Sequence, residues 1–578
     1  MKQLLPAILA STLVLVSCSR QQPAPQGQAA HAAKDNPVFA QLVDDYFDEG
    51  FRYSPAWATY VGIHLYDHEL GDRTQAAIQA HEHALHGFLD RLTALDKASL
   101  SFDQQIDAQE LEGQIRSELL DEETLRLWET NPMSYAGSPA GAIDGLVKRN
   151  FAPPPERLAA VTARLLKVPA IYDAARANLK TPPKVYTELA IRMTKGAAGY
   201  LETTLPAWAK QAAAGDDAAL TAFTEADRTA VAATHAFADW LQKDLLPVSN
   251  GNFAIGAANY SRKLEYDEMV DMPLAEVLAI GERQLDKDHA EFVATARKLD
   301  PSKSADDVWL ALASDHPSAK QLIPFVQQSL EQARQFVVEH HIVTIPSDVR
   351  PTVAPTPPFA RDGSLASMST PGPYETKATE AFYYVTPVEP DWDAKHAEEY
   401  LRAFNTYVTA LTDIHEVWPG HYVQFLYAPQ FPTKIRKLLG AGTNSEGWAH
   451  YAEQMMVDQG FGGGDPRYRL AQLEEALLRD CRYVAGIKLH TEGWTIEQAA
   501  KLFVDRCFQQ PPVAQMEAER GTYDPTYLYY TLGKIEIQKL RDDYMKQTGA
   551  TLEQFNNAFV SQGTLPIPLV RKLLLGKR

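Results

Sequence analysis

From about Pro37 onward, apolar residues recur at three-and-four spacing, the period of helices that bury one stripe and expose the rest. The pattern predicts helices over 38–51, 75–95, 157–179, 186–213, 274–299 and 319–339. Strands and helices do not alternate, which disfavours a parallel α/β sheet. The periodicity lapses over 342–393, where prolines and glycines flank short apolar stretches. Within that lapse, 380–387 (EAFYYVTP) reads as a strand, being aromatic and β-branched between turn residues. Helical spacing resumes at His396 and continues to the C-terminus. The expected fold is mainly α, with a small β-containing insert near 342–393. No internal repeat or long linker divides the body, so 37–578 is expected to form a single large domain.

The first 18 residues follow another rule. Lys2 precedes an apolar run over 4–16, thirteen residues that are too few to span a bilayer and read as a signal peptide. Its ending, Leu15-Val16-Ser17-Cys18, resembles the bacterial lipobox, which implies lipidation at Cys18. Ser19 after the cysteine favours, by the same resemblance, the periplasmic face of the outer membrane. A plain secretory signal with an incidental cysteine is the alternative. Residues 19–36, rich in Gln, Ala and Pro, read as a flexible tether.

Composition narrows the partners. The chain has 578 residues, 45% hydrophobic and 22% charged, within the globular range. Its net charge of −19 disfavours nucleic acid, whose phosphates it would repel. Besides Cys18 only Cys481 and Cys507 occur; they allow one bridge in an oxidising compartment, and neither belongs to a CxxC zinc-thiolate pattern.

Residues 415–421 read HEVWPGH, and EGWAHYAE begins at Glu446, 25 positions after His421. Where thiolates are absent, zinc takes imidazole and carboxylate, three protein ligands with one position left for water. His415, His421 and Glu446 supply that set for one zinc per chain, and Glu416 beside the first histidine is placed as general base. The histidines are six apart, about 240° around a regular helix, and would face different ways. Pro419 and Gly420 are expected to make a bulge that returns His421 to the face of His415. Asp413 and Glu453 are candidate hydrogen-bond partners behind the ligands. His450, at i+4 from Glu446, competes as a ligand on spacing alone, and Asn444 and Ser445 are candidate helix caps. The histidines at 81, 83 and 86 fan around a helix without a well-placed acid and read as a solvated face, as do His340 and His341.

HEVWPGHYVQ and EGWAHYAEQM resemble the signature of the bacterial domain-of-unknown-function 885 family, commonly HExxPGH and EGWAxYxE. SPAWATYVGIHLYDHELGD from Ser54 is similar to that family's opening segment. Arg482, His490 with its GWT, and TYLYYTLGKIEIQKLR from Thr526 are similar to its closing motifs. The family in turn resembles helical zinc peptidases of the thimet oligopeptidase, angiotensin-converting enzyme and carboxypeptidase Taq groups. The resemblance implies an elongated helical body with a deep groove and peptidase activity on short peptides. It implies Tyr530 as a hydroxyl donor to the reaction's oxyanion, and His490 and Arg482 as groups that anchor or polarise substrate. His450 stands where the family usually has an apolar residue, and YVAGIKL between Arg482 and His490 lacks the family's usual acid. The strand with Tyr384 is placed to pair with substrate backbone.

The expected function is zinc-dependent hydrolysis of peptide bonds in short peptides, with water activated by Glu416. One alternative is a non-catalytic peptide-binding lipoprotein. Another is a non-haem iron enzyme using two histidines and one carboxylate, against which the helical pattern and Glu416 both weigh. Oligomeric state is not readable from the chain.

Overall fold

The computed structural model describes residues 35–356, 361, 365–389 and 392–576. The signal peptide, Cys18 and most of the tether lie outside the described residues. Helices dominate, as the apolar periodicity predicts. Leu274–Leu299 forms residue for residue. Pro37–Tyr53 and Gln75–Thr93 fall close to their predicted spans, the first capped by Asn36, whose side chain accepts from the Val38 and Phe39 N–H groups. The predicted 157–179 helix divides into Pro154–Leu165 and Val168–Asn178. Pro169 explains the division: it has no N–H to donate, so it is tolerated only in the first turn of the second helix. Likewise 186–213 divides into Lys184–Gly199 and Leu205–Ala212 about a π turn, Tyr200–Thr204, with Pro206 starting the new helix.

The insert contains three short strands: β1 (Thr352–Pro355), β2 (Ala366–Ser369) and β3 (Phe382–Val385), in the order β1-β3-β2. β3 runs parallel to β1 and antiparallel to β2, with Tyr383 opposite both Val353 and Met368. The 380–387 segment is thus the central strand. Both its edges are paired, so it cannot add a substrate strand as expected; β1 and β2 carry the outer edges, and β2 lies against the helix that bears His415.

One hydrophobic core joins these parts. It contains Tyr383 and Val385 of β3, Ile414, Val417 and Trp418, and Trp448, Tyr451 and Met455 of the Glu446 helix. Fully burying each such large side chain contributes about 1.5–3 kcal/mol. The helix Gly442–Asp458 lies against Tyr529–Thr548 with glycine facing glycine, because a Cβ on Gly447 would come within 2.6 Å of the Gly533 Cα. That close approach sets Glu446 and Tyr530 in fixed relation. Cys481 and Cys507, both buried, form a disulfide at a Cα–Cα distance of 6.5 Å, within the ordinary range. No helix among the described residues is long and apolar enough to cross a membrane.

Candidate metal centre

The helix Thr406–Glu416 starts at Asn405, whose side chain accepts from the Tyr407 and Val408 N–H groups. It stops directly after Glu416. The N–H groups of Val417 and Trp418 both donate to the Asp413 carbonyl at 3.0 Å, the Trp418–Pro419 peptide is cis, and a new helix runs His421–Tyr427. The expected bulge in a continuous helix is therefore corrected to a break between two helices. Proline cannot donate to the ladder, and Gly420 donates to the Ile414 carbonyl at 2.9 Å. A Cβ on Gly420 would collide with the carbonyl oxygens of His415 and Ile414, so this passage admits only glycine. The break brings the two imidazoles to a centroid distance of 4.9 Å, edge to face at 89°.

His415, His421 and Glu446 then converge, with one ligand atom of each lying within 4.8 Å of the others. Glu446 Oε2 is 3.4 Å from His415 Nε2 and 3.3 Å from His421 Nε2. That oxygen is buried and makes no hydrogen bond of good geometry, as fits an atom set to bind something between the rings. Burial opposes ionisation of Glu446, but the adjacent His421 and His415 hold its carboxyl well below the usual range. His415 Nδ1 donates to Glu453 Oε1 at 2.6 Å. With the proton fixed on Nδ1, Nε2 keeps its lone pair for a metal. Two imidazoles and a carboxylate are a donor set that can hold a divalent metal such as zinc.

The second acid is placed by long-range contacts that the motif does not reveal. Its helix starts at Gly442, so Asn444 and Ser445 lie inside the first turn rather than capping it. The cap comes from Glu268 of the helix Ala257–Glu268, which accepts from Gly442 N at 3.0 Å and from Thr443 N and Oγ1 at 2.9 and 2.6 Å. Trp448 Nε1 donates to the Pro419 carbonyl at 2.9 Å, tying the second motif directly to the break in the first.

The remaining candidates separate into near and far. Glu416 lies beside the cluster, its carboxyl raised by burial and restrained by His421, His415 and the Met368 N–H of β2. The Tyr530 ring is 6.4 Å from that of His415, and its hydroxyl accepts from Arg520 Nη2 at 3.2 Å. Arg482 stands over the Tyr530 ring at 5.0 Å, but its guanidinium is committed to Glu517 by two bonds of 2.7 and 2.8 Å. It supports Tyr530 and is not free to anchor a carboxylate. Asp413 does not reach a ligand histidine; it is fully buried facing Ser329 and Tyr383, and burial pushes it up to about 7. His450 does not join the cluster either, since its Nδ1 turns to Glu453 Oε2 at 3.1 Å, and burial pushes it down to about 3.

Two expected site residues lie elsewhere. His490 Nε2 donates to the Gly521 carbonyl at 2.7 Å and its Nδ1 accepts from Ile255 N–H at 3.3 Å, so both nitrogens are spent on backbone. It fastens two chain segments and has no catalytic reach. Tyr384 stacks on Phe382 at 5.7 Å, on the face of β3 opposite the cluster, because side chains alternate along a strand. Its neighbour Tyr383 is the one that faces inward. The His81 run also needs correction: His81 is 5% exposed, held between Glu49 and Glu118.

His415 of the cluster opens on a cavity of about 1400 Å³ whose lining also includes Glu416, Tyr383, Arg479, Arg482 and Tyr530. That volume can hold a short peptide segment, and the Glu416 carboxyl and the Tyr530 side chain line the same space.

A family model described as bacterial protein of unknown function (DUF885) matches residues 55–574. A candidate lipoprotein of unknown function from Shewanella oneidensis is 29% identical and superposes with a TM-score of 0.77, covering 93% of this chain and 99% of its own. A second candidate lipoprotein, from Colwellia psychrerythraea, shares the fold at 17% identity and the same TM-score, over 93% of this chain and 98% of its own. A carboxypeptidase from Pyrococcus furiosus reaches a TM-score of 0.43 at 10% identity, over 94% of this chain and 97% of its own, too slight a likeness to transfer an activity. No curated protein matches the chain.

Proposed function

The chain belongs to the DUF885 family of bacterial proteins of unknown function, and on that footing we propose that it is a zinc-dependent hydrolase of peptide bonds in short peptides. The observation that carries the reading is the convergence of His415, His421 and Glu446 within 4.8 Å, with His415 lining a cavity that also receives Glu416 and Tyr530. His415, His421 and Glu446 would hold the ion. A zinc ion bound there supplies Lewis acidity, polarising a carbonyl and making water easier to deprotonate.

The side chains supply the rest. Glu416 accepts a proton from the attacking water and passes it to the leaving amine as the C–N bond breaks; its burial and raised proton affinity suit both transfers. Arg520 donates to the Tyr530 oxygen, which leaves the Tyr530 hydroxyl proton to be given to the oxyanion that forms on the substrate carbonyl. Glu453 holds the His415 ring in its tautomer and orientation. A two-histidine, one-carboxylate set also serves non-haem iron, but that chemistry has no use for an acid placed like Glu416. The likeness to named candidate lipoproteins, with the LVSC sequence ending at Cys18, supports lipid anchorage in the cell envelope.

The test joins metal analysis with digestion of a peptide library read by mass spectrometry. Wild type is expected to bind one zinc and cut peptides. Glu416→Gln is expected to keep the zinc and lose about 10²–10⁴-fold in turnover. A zinc-loaded wild type that cuts nothing sinks the proposal, as does a Glu416→Gln protein with undiminished turnover.

A further inference from the structure

Glu446 faces two spaces. Besides the cluster, it lines a second cavity of about 340 Å³ walled by Glu110, Asp267, Glu268, Gly442 and Tyr529, among others. The walls come from the helix Phe102–Leu119, the end of Ala257–Glu268, the start of the Glu446 helix and the start of Tyr529–Thr548. Four of the lining residues are acids and none is Lys or Arg.

Three of those acids have assignments. Glu268 caps the Glu446 helix, Glu446 belongs to the metal cluster, and Asp267 pairs with Lys263 at 3.2 Å. Glu110 has none. It is 5% exposed, it lines the cavity, and among the described residues no hydrogen bond or ion pair engages its carboxylate. Its charged surroundings are Glu268, Asp107 and Asp267, and burial among them pushes it up to about 8. A carboxyl so placed holds its proton until a cation reaches it, and a cation entering the cavity would give it the partner that the surrounding side chains do not. A chelated metal ion does not fit, because His415, His421 and Glu446 form the only group of three potential ligands that converges within 4.8 Å among the described residues. Spread carboxylates suit an ammonium, which has three donors and no demand for fixed coordination.

We propose that this cavity receives a primary ammonium group of the peptide substrate, that of its amino terminus or of a lysine side chain, and that Glu110 is its ion-pair partner. The inference rests on the peptidase reading above and specifies how that site orients its substrate. Because Glu446 is shared by the cavity and the metal cluster, the ammonium sits close to the scissile bond. The small volume admits the end of a chain or one side chain, so cleavage close to the amino end is the natural outcome for peptides without lysine.

The test measures binding separately from turnover. Calorimetry on the full zinc-loaded Glu416→Gln protein compares tetra-alanine, Nα-acetyl-tetra-alanine and Nα-acetyl-Ala-Ala-Lys-Ala. The free amine is expected to bind at least about tenfold tighter than its acetylated form, as an ion-paired hydrogen bond implies. Recovery of affinity in the lysine peptide assigns the pocket to side chains as well; no recovery assigns it to the amino terminus. Adding Glu110→Gln should bring the free and acetylated peptides to within about twofold, with zinc content and thermal midpoint showing that the variant is folded. If that variant fails to fold, the acetylation comparison on the parent decides. The proposal falls if acetylation leaves affinity unchanged, if discrimination survives Glu110→Gln, or if none of the three peptides binds. A wild type that cuts no peptide while discrimination persists defeats the peptidase reading and leaves the ammonium site standing.

Discussion

Two buried histidines, His81 and His415, have almost the same immediate surroundings and opposite prospects. Each rides on a helix with a carboxylate at either ring nitrogen. His81 has Glu49 at 2.9 Å and Glu118 at 3.6 Å, with the Tyr53 ring stacked on it at 3.7 Å. His415 has Glu453 at 2.6 Å and Glu446 at 3.4 Å. The difference is what else reaches the far acid. At His81 nothing further converges: His86 turns to Glu123 and His83 faces away. At His415 a second imidazole, His421, reaches the same oxygen of Glu446 at 3.3 Å. An imidazole between two acids is an ion pair; two imidazoles converging with one carboxylate oxygen are the set proposed above to hold zinc. The backbone break at Pro419 and Gly420 turns the one into the other.

The largest expected effect breaks this comparison outright. Glu446→Ala removes the shared oxygen, and zinc measured by elemental analysis should fall from one per chain to background, while His81→Ala should leave zinc content unchanged. A His81 variant that loses the metal, or a Glu446 variant that keeps it, would erase the distinction.

Sharpening comes from the acid behind the ligand. Glu453 and Glu49 both accept from an Nδ1, but only Glu453 holds a ring of the proposed zinc site. Glu453→Gln should weaken zinc affinity about 10–100-fold in competition with a chromogenic chelator. Glu49→Gln should leave the affinity within error. Equal effects would mean that Glu453 acts only through general stability.

The parts of this site that lie within one stretch of chain were legible in the sequence. HEVWPGH and EGWAHYAE name His415, Glu416, His421 and Glu446, because residue type and spacing within each motif mark them before anything shows how the two helices are set against each other. Glu453, in the same motif as Glu446, was legible too; the other supports were not, because each comes from far along the chain. Glu268 caps a helix 174 residues away, and Glu110 reaches the cavity from a helix that carries no motif. His490 and Tyr384 were misassigned for the same reason: a motif gives a residue type, while its direction depends on strand order and on what packs behind it. The helices follow a similar division. Leu274–Leu299 could be read to the residue because nothing interrupts its stripe. The 157–179 span hid a break because the apolar pattern continued through Pro169, and only the missing N–H marks the boundary.

The smallest effect tests the His81 side of the comparison through pH. Burial opposes a charge on His81, but Glu118 and Glu49 overcome it and lift the imidazole from 6.5 to about 9. A folded-state value above the unfolded one means that the folded chain holds its proton longer. Stabilisation is therefore complete below pH 6.5, declines as the unfolded chain alone loses its proton, and is gone once pH passes through about 9. His81→Gln should accordingly lower unfolding stability by about 1–3 kcal/mol at pH 6. The gap between variant and wild type should narrow steadily to pH 10, read as urea midpoints across the series. A gap that stays constant with pH would show that His81 contributes by packing on Tyr53 and not by charge, and the likeness to His415 would then end at geometry.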